Sequence, residues 1–385
     1  MSAWPIVALE DVFDVARGGS PRPIDSFITD DPDGVNWIMI GDATEGSKYI
    51  SSTKKRIIKE GVKKSRMVSA GDFLLTNSMS FGKPYILKTS GCIHDGWLVL
   101  SPRHDQIYSD FFYHLLGSDV VYSKFKKLAA GAVVKNLNSE LVRGVPIPLP
   151  PLAEQKRIAA ILDKADSIRR KLHQSIRLSD EFLRSVFLDM FGDPVTNPKG
   201  WPVMELQELG KISTGTTPPS KLEKMFDGSI PFITPGDLKE GWISTKRTVT
   251  EQGAKQSRTV RKGATLVCCI GATIGKMGKA AQVSAFNQQI NAVEWNRQVN
   301  DSFGIEVLKF FKTRIADQGM STTLPILNKS AFQRLTIPVP PISDQCKFAD
   351  IVAAIERNAS KLDSQLTDAE TLFSSLQQRA FRGEL

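Results

Sequence analysis

Ile147-Pro148-Leu149-Pro150-Pro151-Leu152-Ala153-Glu154-Gln155 returns 190 residues later as Ile337-Pro338-Val339-Pro340-Pro341-Ile342-Ser343-Asp344-Gln345. The reading of the chain turns on this phrase, because it is written twice and each copy opens the same kind of segment. A double proline stops the chain, and proline is tolerated at the start of a helix, where its missing N–H costs nothing. Glu154 and Asp344 fall in the first turn, where the helix dipole favours an acid. Leu137-Asn138, just upstream, matches Leu327-Asn328 at the same offset. Trp4-Pro5 answers Trp201-Pro202, and Gly41-Asp42 answers Gly236-Asp237. Gly61 to Arg66 (GVKKSR) answers Gly253 to Arg258 (GAKQSR). The offset drifts from about 197 to 190 while the order is kept, the mark of an internal repeat with loops of unequal length.

Each half has one plan. About 140 residues of short apolar runs, such as Val35 to Ile40 and Thr265 to Ile270, are punctuated by Gly, Asp, Asn and Ser, which predicts a strand-rich domain. A long helix follows. In the first, apolar positions run Ile158, Ile161, Ala165, Ile168, Leu172, then Ser175 and Ser179, then Phe182 and Val186. In the second they run Phe348, Ile351, Ile355, then Asn358, Leu362, Gln365, Ala369, Leu372 and Leu376. Steps of alternating three and four predict the packing seam of a coiled coil. Leu162, Ile176, Leu183, Val352, Leu366 and Phe373 widen the stripe, so a further surface packs there. Roughly 38 residues make a rod of about 57 Å. The alternative is that these helices only join the chain to another copy. The expected domains are 1–150 and 194–340, each followed by its helix, 151–193 and 341–385. Residues 192–200 (GDPVTNPKG) form the joint.

The chain has 385 residues, 41% hydrophobic and 24% charged, a globular composition large enough for two cores. Its net charge of +9, from 50 basic and 41 acidic residues, suits a polyanionic partner. The four cysteines (Cys92, Cys268, Cys269, Cys346) make no C-x-x-C pair, so neither disulfides nor a zinc site is expected. The histidines (His94, His104, His114, His173) form no ligand pattern, and no metal or cofactor is expected. The N-terminus lacks a signal-peptide pattern and no apolar run reaches membrane-spanning length, which predicts a cytoplasmic protein without a membrane partner.

Catalytic motifs are missing. Asn197-Pro198-Lys199-Gly200 lacks the second proline and the aromatic of a methyltransferase motif. Asp237-Leu238-Lys239 has no Pro-Asp at a nuclease's distance. Gly271 to Lys276 has three residues between its glycines, not four, and Met277 where a phosphate-binding loop has Ser or Thr. Thr273-Ile274-Gly275-Lys276 instead answers Ser80-Phe81-Gly82-Lys83, a polar-apolar-Gly-Lys turn after a strand. Its hydroxyl and lysine suit a phosphate or a base edge.

This order of pieces resembles the specificity subunits of Type I restriction–modification systems. The phrases that carry the resemblance are PLPPLAEQKRIAAILDKAD (148–166), FLDMFGDP (187–194) and RAFRGEL (379–385), with SMSFGKP and GATIGKMG resembling text of the recognition domains. Asp344-Gln345-Cys346 departs from Glu154-Gln155-Lys156 in the second copy. The resemblance implies an α+β fold with two strand-rich target-recognition domains related by a pseudo-twofold. Each is followed by a long helix, and the two helices pair as an antiparallel coiled coil. It implies a non-catalytic subunit that reads double-stranded DNA at a bipartite site, working with two modification (methyltransferase) subunits and two restriction (translocase/endonuclease) subunits. The candidate DNA contacts are then Lys48, Lys54, Lys55, Arg56, Lys63, Lys64, Arg66, Asn77, Ser78, Ser80 and Lys83 in the first half. In the second half they are Lys239, Lys246, Arg247, Lys255, Arg258, Thr273 and Lys276. Lysines suit phosphates, whereas Arg and Asn suit guanine and adenine edges. Arg169, Arg170 and Lys171 are candidates for meeting the modification subunits. A coiled-coil scaffold that reads no DNA, and an enzyme with an unrecognised site, are the alternatives.

Overall fold

The computed structural model describes residues 4–44, 46–77, 82–104, 106–130, 137–219, 224–239, 242–319 and 326–385. Two compact units emerge, and each takes part of both long helices. The first comprises Met1–Gln174 with Asp363–Leu385, the second Ser175–Leu362.

In the first unit, one five-stranded sheet runs in the order Phe13–Arg17, Trp97–Pro102, Phe73–Thr76, Pro84–Leu87, Tyr49–Ile50. A second runs Ile28–Thr29, Lys55–Ile57, Val35–Ile38, Gly91–Ile93, Arg66–Val68. Trp97–Pro102 is an interior strand, with Val99 opposite Leu74 on one side and Ala16 on the other. Its buried run Trp97-Leu98-Val99-Leu100 explains why this segment reads as continuously apolar. The second unit repeats the plan with four-stranded sheets. One is Gly210–Thr214, Ile290–Trp295, Thr265–Cys268, Met277–Lys279; the other is Thr248–Val249, Phe226–Ile233, Ser284–Phe286, Arg258–Val260. Cys92 and Cys268 lie in these strands and Cys269 is buried just after one, and burial pushes the Cys269 thiol up to about 12, which keeps it neutral.

The repeated proline phrase ends a short strand. Pro146–Pro148 pairs antiparallel with Ile6–Ala8, and Thr336–Pro338 with Val203–Glu205. The glutamine of the phrase is a clamp. Buried Gln155 accepts from Tyr108 N at 2.9 Å and donates to the carbonyls of Gln106 and Pro150. Gln345 accepts from Asn300 N at 2.8 Å and donates to Gln298 and Pro340. Both side-chain groups are satisfied, so the clamp stabilises a buried amide that would otherwise be costly. It fixes where each long helix, Leu152–Phe191 and Ile342–Arg382, leaves its domain.

Within the first unit the helix segments run antiparallel. Arg157 donates to the Leu385 carbonyl, Arg169 lies 4.6 Å over the Phe373 ring, and His173 sits 3.4 Å from Glu370. One number rises as the other falls. In the second unit Phe187 and Phe191 both meet Phe348 with ring centroids 5.5 Å apart. The buried stripe differs from the expected seam. Ile158, Leu162 and Phe373 belong to the core of the first strand domain, and Leu183, Phe187, Phe348 and Val352 to that of the second. Ile161, Ala165, Leu172, Val186, Ile351, Ile355, Leu362 and Leu376 are half-buried, while Ile168, Phe182 and Leu372 are 49%, 57% and 55% exposed. The helices spend much of their apolar face on the strand domains, which the widened stripe foreshadowed. No helix of the described residues is long and apolar enough to cross a membrane.

Lys48 is placed where the sequence did not point. It is 5% exposed, and its Nζ lies 2.5 Å from Asp110 and 2.9 Å from Asp163 on the helix. His114 Nε2 is 2.8 Å from the same Asp163 oxygen. Burial pushes the Asp163 carboxyl up, but the bonds from His114 and Lys48 outweigh it and hold it down at about 2. A carboxylate held below its unfolded value stabilises the fold above that value and loses the contribution as pH falls through the folded one. Asp163 is therefore expected to contribute about 1 kcal/mol, after solvent screening of a side chain one-third exposed. The contribution should fade between about pH 4 and pH 2. Acid titration of wild type against Asp163→Asn checks this: the stability gap should close toward pH 2, and a gap constant with pH contradicts it.

Candidate nucleic-acid interface

The described ends of the Gly-Lys turn singled out in the sequence are closed by the same pair of backbone bonds in both units. Thr76 N donates to Lys83 O and Gly82 N returns to Thr76 O; Cys268 N donates to Lys276 O and Gly275 N returns to Cys268 O. Gly82 and Gly275 have φ of +81° and +84°, a left-handed conformation that glycine adopts without strain. Lys83 and Lys276 are both exposed. The residue after each strand ties the turn to neighbouring loops. Asn77 N donates to Gly96 O and its carbonyl accepts from Leu137 N; Cys269 N donates to Gln289 O and its carbonyl accepts from Leu327 N.

A second loop, absent from the candidates, meets the same place. Gly18-Gly19-Ser20-Pro21 and Gly215-Thr216-Thr217-Pro218 share the 197 offset of the tryptophan-proline pair. Gly18 N donates to Trp97 O and Gly19 N to Ile93 O; Gly215 N donates to Ile290 O and Thr216 N to Phe286 O. A Cβ on Gly18 or Gly215 would lie 2.1 Å from the carbonyl oxygen of His94 or Asn287, so the glycine is dictated by backbone approach. The side chains that close the junction differ. In the first unit Ser20 Oγ donates to Asp95 Oδ1 at 2.8 Å; in the second Thr217 Oγ1 donates to Gln288 Oε1 at 2.6 Å. At that offset both halves carry the same Gly-x-Ser/Thr-Pro pattern, the one mark of this loop in the sequence.

Arg66 and Arg258 hold equivalent places, opposite Ile93 and Phe286 in their ladders. Arg66 Nε donates to Arg17 O at 2.8 Å, joining the glycine loop. Lys63, Lys64 and Lys255 are exposed just upstream of these strands, Lys64 with its Nζ 5.0 Å over the Phe27 ring. Lys54, Lys55 and Arg56 sit at or beside the strand Lys55–Ile57, two strands from Gly91–Ile93 in the same sheet. Lys246 and Arg247 precede its counterpart Thr248–Val249 and are exposed, as is Lys239. Two placements differ from the sequence-based expectation. Lys48 is taken by two carboxylates and has no face for a phosphate. Asn77 is 1% exposed and spends its amide on the Asp95 carbonyl at 2.7 Å, so it positions the loop. Thr273 is half-buried, its Oγ1 3.3 Å from Cys268 Sγ. Ser78 and Ser80 lie outside the described residues.

His94 packs beside this junction. Burial lowers its pKa, and Gly96 N donates to Nδ1 at 2.9 Å, so the ring is a neutral brace for the turn. Among the described residues no group of three or more His, Cys, Asp or Glu could hold a metal ion.

The model of the Type I restriction modification DNA specificity domain matches twice, over residues 1–178 and 198–369. The MjaIX specificity subunit of Methanocaldococcus jannaschii is 24% identical, over 99% of this chain and 93% of its own length. The EcoBI specificity subunit of Escherichia coli is 23% identical, over 100% and 86%. The crystal structure of a Type I restriction-modification S subunit from M. genitalium has the same fold, with a TM-score of 0.59 at 16% identity, covering 99% of this chain and 96% of that one. With two copies of the domain spanning nearly its whole length, the chain belongs to the Type I restriction–modification DNA specificity family, as a specificity subunit and not as an enzyme in its own right.

Proposed function

We propose that each unit reads one half of a bipartite site on double-stranded DNA, with the long helices setting the unread spacer between the halves. The observation that carries this reading is the junction built twice: an exposed lysine on a left-handed glycine turn (Lys83, Lys276) and an arginine at one ladder position (Arg66, Arg258). Exposed cations suit phosphates, which fix register, and leave neighbouring side chains to meet base edges. Lys54, Lys55, Arg56, Lys63 and Lys64 in the first unit, and Lys239, Lys246, Arg247 and Lys255 in the second, extend the cationic surface.

The partners under this reading are two modification subunits and two restriction subunits. Exposed Ile168, Phe182 and Leu372 supply apolar docking surface on the helices. Arg169 and Arg170 both pair with Asp166, at 2.6 and 3.0 Å, which holds them as a fixed cationic patch beside Lys171.

The test is co-expression with a Type I modification subunit, followed by genome-wide methylation mapping. Adenine methylation at one discontinuous site is expected, and none from the purified chain alone. A contiguous site, or turnover by the isolated chain, contradicts the proposal.

A further inference from the structure

The junction between the glycine loop and the following turn keeps its frame in both units and changes its chemistry. Four backbone hydrogen bonds are the same in the two copies, from Gly18, Gly19 and Asn77 in one and from Gly215, Thr216 and Cys269 in the other, with the return bond of the Gly-Lys turn. The prolines behind it, Pro21 and Pro218, are buried in both. At the tip the hydroxyl is kept, as Ser20 or Thr217, while its acceptor changes from the carboxylate of Asp95 to the carboxamide of Gln288. Both acceptor side chains reach solvent, so the change alters the exposed chemistry and leaves the frame intact. Gln288 and Thr217 are exposed, and the Asp95 and Arg22 side chains are 41% and 81% exposed. Two readers that address different bases require just such a constant frame with a variable tip.

The chemistry of each tip selects a base pair. The Ser20 hydroxyl holds the Asp95 carboxyl below the usual carboxylate range, so Asp95 stays ionised and only accepts hydrogen bonds. Arg22 stands 3.4 Å from its other oxygen. A carboxylate accepts from the cytosine N4 amino group, and a guanidinium donates to guanine O6 and N7 on the other side of the same pair. In the second unit, Thr217 occupies one lone pair of Gln288 Oε1 and so orients the amide. The second lone pair and the Nε2 hydrogens remain, the combination that meets adenine N6 and N7. We propose that Asp95 with Arg22 reads a C·G pair in the first half-site, and that Gln288 held by Thr217 reads an A·T pair in the second. The inference rests on the bipartite reading above and adds which side chains specify bases and of what class.

The experiment maps methylation by the complex of the full chain with its modification subunit, for wild type, Asp95→Asn, Arg22→Gln and Gln288→Glu. Asp95→Asn and Arg22→Gln should relax the same C·G position of one half-site, with discrimination falling by about tenfold or more, and leave the other half-site intact. Gln288→Glu should relax an A·T position of the other half-site alone. Arg22 lies on the surface, so Arg22→Gln decides the first unit even if Asp95→Asn fails to fold. A wild-type complex that marks a bipartite site, with variants that keep both half-sites at full stringency, overturns this inference and spares the bipartite reading. A wild-type complex that marks no bipartite site overturns both.

Discussion

Phe187→Ala is expected to cost the second unit about 3–5 kcal/mol, the range for deleting a fully buried aromatic ring. Phe187 is 1% exposed and sits at the centre of five rings. Phe191, Phe303, Phe310 and Phe348 all lie within 5.6 Å, centroid to centroid. These rings come from both long helices and from the helix Asp301–Phe310, so the cavity would open where the helices meet the strand domain. Against a stability of about 5–15 kcal/mol for a domain, such a loss brings this unit close to unfolding. The first unit has its own core and shares none of these residues. Thermal unfolding should therefore split into two transitions, with only one displaced downward. A single transition moving as a whole would show that the units do not unfold independently.

The second large effect concerns the ruler. Four residues inserted after Lys171 and after Lys361 extend both helices at matching points. Each residue turns a helix by about 100° and raises it by about 1.5 Å, so the insertion adds roughly one turn plus about 40° and about 6 Å. One base pair of DNA turns by about 34° and rises about 3.4 Å, since a turn of about 34–36 Å holds about 10–10.5 pairs. The rotations nearly agree, and a four-residue step is one that coiled coils absorb by local unwinding. The spacer is expected to lengthen by about one base pair, at most about two, with both half-sites kept. Methylation mapping of the variant reads this directly. An unchanged spacer at full activity would remove the helices from that role.

The architecture was legible because its signals are local. The proline phrase states a chain stop and a helix start within nine residues, and the same nine residues carry the glutamine that the structure buries as a clamp. The repeated Gly-Asp pairs are likewise local: Asp42 and Asp237 each take the backbone N–H three residues back at 2.8 Å. What escaped was set by long-range pairing. Lys48 reads as a surface cation because both carboxylates that hold it, Asp110 and Asp163, are distant in sequence, the second 115 residues away. Ser20 and Asp95 are 75 residues apart, and neither belongs to an apolar rhythm that would flag it. The helix seam was displaced for a related reason. Periodicity tells that a stripe is apolar and not which neighbour covers it, and here the strand domains take Ile158, Leu162, Leu183 and Phe187.

Under the proposed function the two units read separately. Residues 1–145 can be exchanged for the matching region of a relative that recognises a different site, keeping the Lys48–Asp163 and His114–Asp163 pairs so that the graft seats on the helix. Co-expressed with the modification subunit, the hybrid should methylate a site with one half replaced by the donor's and the other half and spacer unchanged. A hybrid that folds, assembles and methylates a site altered in both halves would contradict the claim.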